Sequence, residues 1–113
     1  MTEQITTFSN EVTLDEIFSK RDVIEQYCIK NDITYFGIFG SIGRKEQRHT
    51  NDIDILIKFT EPTSKGLIEF VSIEDELAEM FHKKVDLVTS KGLHPFLKNQ
   101  ILYEVVTVYE RTS

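Results

Sequence analysis

The hydrophobic and polar positions along the chain fall into blocks of two periods. Leu14, Ile17, Phe18, Ile24 and Cys28 recur at helical spacing. They follow Thr13-Leu14-Asp15-Glu16, which reads as a capping box with Val12 and Ile17 placed to staple across it. This spacing predicts one helix from about Thr13 to Lys30. Ile33 to Phe39 is dense in β-branched and aromatic residues and stops at Gly40, the pattern of a strand. Ser41 to about Gln47 suits one or two helical turns, Arg48 to Asn51 is polar and turn-prone, and Asp52 to Phe59 resumes as a strand. Glu61-Pro62-Thr63-Ser64 breaks that strand, after which Leu67, Phe70, Val71, Leu77, Ala78 and Phe81 mark a second long amphipathic helix. Val85 to Thr89 reads as a third strand, Leu93 to about Leu102 as a third helix, and Val105 to Tyr109 as a last strand.

Strands alternating with helices predict an α/β (α+β) fold, a small sheet packed with helices, although periodicity does not fix strand order or direction. The chain has 113 residues, enough for a single domain spanning 1–113 and too few for a second core. Its net charge of −6 disfavours extended binding to nucleic-acid backbones but leaves room for a local phosphate site. Cys28 is the one cysteine, and Met1 to Asn10 has neither a basic start nor an apolar core. Both features point to the cytosol. No apolar run approaches the roughly 18 to 20 residues of a membrane span.

Candidate chemistry enters with the carboxylates. Side chains two apart on a strand share a face, which brings Asp52 and Asp54 to about 6 to 7 Å from each other. Two such charges repel unless a proton, a basic partner or a cation offsets them. Asp86 lies within the strand-like run Val85-Asp86-Leu87-Val88. If that strand neighbours the Asp52 strand, three carboxylates surround one or two hard cations. All-oxygen ligands favour magnesium or manganese, and two ions about 3.5 to 4 Å apart suit phosphoryl displacement. Gly40-Ser41 supplies the other half of the site, a corner where backbone approaches an anion closely, with Arg44, Lys45 and Arg48 following. A nucleoside triphosphate with its phosphates on this corner and its magnesium on the aspartates accounts for both.

Gly40-Ser41, a spacer, Asp52-Ile53-Asp54 and the later strand residue Asp86 together resemble the minimal nucleotidyltransferases of the polymerase-β-like superfamily. The likeness runs from the Tyr35 to Phe39 strand through Thr89 and, more weakly, from Ile101 to Tyr109. One departure is that Ile42 and Lys45 stand where many relatives have a basic residue and a glycine. The resemblance implies a polymerase-β-like fold with a small mixed sheet. It also implies Asp52, Asp54 and Asp86 as catalytic and metal-binding residues, and Gly40, Ser41 and Arg44 as nucleotide-binding ones. Small members of the family act as antitoxins that transfer AMP from ATP to a tyrosine of a helical HEPN-type toxin. The implied cofactor is magnesium, as two ions; the implied partner is a cognate HEPN toxin, held as a hetero-oligomer.

Other readings stand beside this one. The antitoxin could act by complex formation alone, or the chain could modify a small molecule of the aminoglycoside type, although no added acceptor domain is present. Asp86 could pair with Lys83 or Lys84, Gly40 could be only a turn glycine and Ser41 only a helix cap. His49 reads as an inert loop residue. Cys28, Tyr27, Phe18, Phe70 and Phe81 read as core rather than as a base-stacking box.

Overall fold

The computed structural model describes residues 12–45 and 52–112. Nine elements follow in order: α1 (Leu14–Ser19), α2 (Arg21–Lys30), β1 (Ile33–Phe39), α3 (Gly40–Gly43), β2 (Ile53–Phe59), α4 (Leu67–Phe81), β3 (Val85–Thr89), α5 (Pro95–Glu104) and β4 (Val106–Glu110). The first predicted helix is two helices. Thr13 caps α1 through its hydroxyl, which accepts the Glu16 N–H at 3.1 Å. The Ser19 hydroxyl then donates to the Glu16 carbonyl at 2.7 Å, the local bond by which a serine competes with the helical backbone and bends it. Lys20 leaves helical geometry, and α2 restarts at Arg21. Both pieces still turn Leu14, Ile17, Ile24 and Cys28 into the core.

The remaining boundaries move by small steps with local causes. α5 starts at Pro95, which suits the first helical position, and His94 Nδ1 accepts the Phe96 N–H at 3.1 Å. The last strand begins at Val106. Glu69 caps α4 by accepting the Gly66 N–H at 2.8 Å. The short helix predicted to reach Gln47 ends at Gly43. The loop readings for Arg48 to Asn51, His49 included, lie outside the described residues.

The sheet has the order β3-β2-β1-β4. β1 is antiparallel to both β2 and β4, whereas β2 and β3 run parallel, as a helical crossover through α4 requires. One face is the core: Phe36, Ile38, Ile53, Ile55, Ile57, Val85 and Leu87 meet Ile17, Ile24 and Cys28 from α1 and α2 and Ile73, Leu77 and Phe81 from α4. Each fully buried large side chain contributes about 1.5 to 3 kcal/mol. Alternation sends Asp54, Leu56 and Asp86 to the other face. Among the described residues no helix is long and apolar enough to cross a membrane.

Candidate active site

Asp54 is the second residue of β2, and its register neighbours are Phe39 at the end of β1 and Asp86 on β3. The condition that the sequence left open is met, because the parallel pairing puts Asp86 directly beside Asp54. Asp52 sits just before β2, where the Ile53 N–H donates to the Lys84 carbonyl at 3.0 Å and holds the starts of both strands together. The three aspartates therefore share one end and one face of the sheet.

The chain then turns sharply. Gly40 has φ +71°, and a Cβ added to it would overlap Asp54 Oδ2. The glycine is thus required twice, by a left-handed backbone and by the approach of the carboxylate. Gly43 is also confined, since an added Cβ would lie 2.9 Å from the Ile38 carbonyl oxygen. Ser41 lies within α3 rather than at its cap and is half-buried.

The electrostatics follow from the crowding. Burial first, then the charge of Asp86 and a hydrogen bond with it, push Asp54 up from 3.8 to about 6, with Asp52 adding to the rise and Arg44 opposing it. A proton on Asp54 relieves this crowding when no cation does. Of the two lysines read as alternative partners of Asp86, Lys84 has its Nζ 4.0 Å from Asp52 Oδ2. Among the described residues no three His, Cys, Asp or Glu side chains converge as a ready metal cluster. Asp54 turns toward Gly40 and Asp86, and Asp52 toward Lys84. The donors nonetheless suit a hard divalent cation. They are all carboxylate oxygens, the central one is destabilised as an anion, and the missing Cβ of Gly40 lets the backbone approach that carboxylate closely.

The positions that depart from the family pattern have structural explanations. Ile42 is 4% exposed and belongs to the core, so no phosphate contact comes from it. Lys45 has φ 63°, the conformation that makes glycine usual there. Arg44 caps α3, and its Nη1 lies 3.3 Å from Glu104 Oε1 at the end of α5. Sequence reasoning missed this bond because the partners are 60 residues apart and neither belongs to a local pattern. Cys28 and Phe81 are buried, and Phe18, Tyr27 and Phe70 pack partly buried against the core, in keeping with their reading as core.

Known proteins resemble the chain in sequence and in fold. The family described as polymerase beta nucleotidyltransferase matches residues 22–113. A Methanocaldococcus jannaschii protein provisionally named a protein adenylyltransferase is 43% identical over 89 residues, 79% of this chain and 92% of its own. The protein adenylyltransferase MntA of Thermococcus cleftensis is 33% identical over 102 residues, covering 86% of this chain and 97% of its own. A solved minimal nucleotidyltransferase superposes with TM-score 0.71 at 27% identity, over 84% of this chain and 95% of that one. Two more distant structures share the fold. A toxin-antitoxin with AMP-PNP has TM-score 0.69 at 20% identity and covers 82% of this chain and 75% of that one. A tri-AMPylated Shewanella oneidensis HEPN toxin in complex with its MNT antitoxin has TM-score 0.61 at 19% identity, with 80% and 70% covered. With the Gly-Ser corner, the paired β2 and β3 aspartates and these relatives in agreement, the chain belongs to the polymerase beta nucleotidyltransferase family.

Proposed function

We propose that the chain is a magnesium-dependent protein adenylyltransferase, the antitoxin of a two-component pair, which transfers AMP from ATP to a tyrosine of its cognate HEPN-type toxin. The observation that carries the reading is the side-by-side register of Asp54 and Asp86 beneath Gly40. It concentrates negative charge at one end of the sheet beside a backbone corner free of side-chain bulk. The names of the relatives favour transfer onto protein, and the distant complexes, one with AMP-PNP and one with an AMPylated HEPN toxin, support a toxin partner and ATP as donor.

Asp52 and Asp54 would hold two magnesium ions, with Asp86 completing the set. Bound there, the ions would polarise the α-phosphate and stabilise the leaving pyrophosphate. Gly40 and Ser41 would receive the phosphates, with Arg44 reaching them from the end of α3. In the reaction a bond forms between the acceptor oxygen and the α-phosphorus while the bond to pyrophosphate breaks. The tyrosyl proton passes to Asp86, whose side chain is exposed to an incoming acceptor. The whole chain would act as one domain in the cytoplasm, in a hetero-oligomer with the toxin.

The test uses α-labelled ATP, the purified chain and its cognate toxin. Label is expected on the toxin with magnesium and absent with EDTA or with the Asp52→Asn/Asp54→Asn double variant. A toxin that stays unlabelled with magnesium overturns the reading. Equal protection of cells by the double variant would shift the antitoxin role to complex formation alone.

A further inference from the structure

α5 is an apolar helix without a core. It contains Phe96, Leu97, Ile101, Leu102 and Tyr103, yet none of its ten residues is buried. Phe96 is 85% exposed and Tyr103 93%. They are seven positions apart, which places them on one side of the helix about 10 Å from each other. A ten-residue helix is marginal in water unless tertiary packing holds it. Exposed aromatic pairs of this kind mark interaction sites more often than ordinary surface.

The position of α5 indicates what covers it. The helix leaves the far end of β3 and finishes beside the catalytic corner, where Glu104 holds Arg44 at 3.3 Å. Val105, the next residue, comes down onto the sheet face opposite the core, its Cγ2 2.7 Å from where a Cβ on Gly37 would stand. Gly37 pairs with Leu56, two residues from Asp54 and on the same face. A macromolecule delivering a side chain to the carboxylates from that face meets the C-terminal half of α5 on the way. A second copy of this chain suits the surface poorly, because each copy carries a net charge of −6 and the two would repel. A neutral or basic partner does not incur that repulsion.

We infer that Phe96 and Tyr103 form the docking surface for the acceptor protein, anchoring it so that its tyrosine reaches Asp54 and Asp86. This inference rests on the adenylyltransferase reading and goes beyond it by naming where the acceptor is held. Both side chains are exposed, so Phe96→Ser/Tyr103→Ser retains the fold, which a thermal melt checks. Leu67→Ser/Ile68→Ser, on the comparably exposed start of α4, is the control.

Complex formation with the cognate HEPN-type toxin is followed by light scattering, and transfer by label from α-labelled ATP. The α5 double variant is expected to lose at least about tenfold in toxin affinity and in kcat/KM for the toxin, while its affinity for magnesium ATP stays at the wild-type value. The α4 variant behaves as wild type. Wild-type affinity and transfer in the α5 variant overturn the docking site and leave the adenylyltransferase reading standing. Tight toxin binding that requires α5, without transfer by the wild type, overturns the reading of the reaction and leaves the docking surface. Hydrogen exchange on the unaltered chain gives a second measure, with slower exchange over residues 95–104 expected on adding toxin; unchanged exchange there counts against the surface.

Discussion

Asp54 shows how a single residue carries a cost that protonation removes. Burial and the neighbouring Asp86 push its carboxyl up from 3.8 to about 6, so the folded chain binds this proton more tightly than the unfolded chain does. Its contribution to stability therefore falls as pH rises from near 4 through about 6 and stays unfavourable above that. The shift corresponds to at most about 3 kcal/mol, which solvent screening at this half-open site lowers to the order of 1 kcal/mol. In EDTA, Asp54→Asn should be more stable than wild type by that order at pH 7 and no more stable at pH 4, as read by urea unfolding at both values. Adding magnesium at pH 7 should stabilise the wild type and leave Asp54→Asn unchanged. A variant gain of equal size at both pH values would assign it to packing rather than to charge.

At the scale of the element, strands were easier to read than helix ends. Ile33–Phe39 and Val85–Thr89 were legible to the residue because β-branched and aromatic runs end against Gly40 and Ser90. The break at Lys20 was not, since it depends on which way the Ser19 hydroxyl turns. The contact between α3 and α5 was equally hidden, because tertiary packing alone brings Arg44 to Glu104. That contact makes a prediction about both helices. If Arg44 binds the phosphates as proposed, the Glu104 carboxylate competes for its guanidinium, and a half-exposed ion pair of this kind is worth about 0 to 1 kcal/mol. Glu104→Gln should accordingly tighten magnesium ATP binding by up to about fivefold, and Arg44→Ala should weaken it, both measured by titration calorimetry. If Arg44→Ala binds as wild type does, Arg44 is not a phosphate ligand.

For the molecule as a whole, one face of the sheet carries the main core and the other carries the aspartates. The aspartates and the Gly-Ser corner could be found in the sequence because their chemistry follows a short pattern. The neighbour relation between β2 and β3 could not, since strand order comes from long-range packing across α4. Ile53, Ile55 and Ile57 face the core while Asp54, between the first two, faces outward, so one strand serves both purposes by alternation alone. Substitutions on the two faces should then move different observables. Ile73→Ala, from a site 3% exposed in the core, should lower unfolding free energy by about 2 to 5 kcal/mol and leave kcat of the folded fraction near wild type. Asp86→Asn should remove most transfer activity while leaving stability equal or higher, because it relieves the repulsion on Asp54. Denaturant melts paired with active-site-normalised rates would test the division, and a core truncation that slowed the folded enzyme as much as Asp86→Asn would show that the faces are coupled rather than separate.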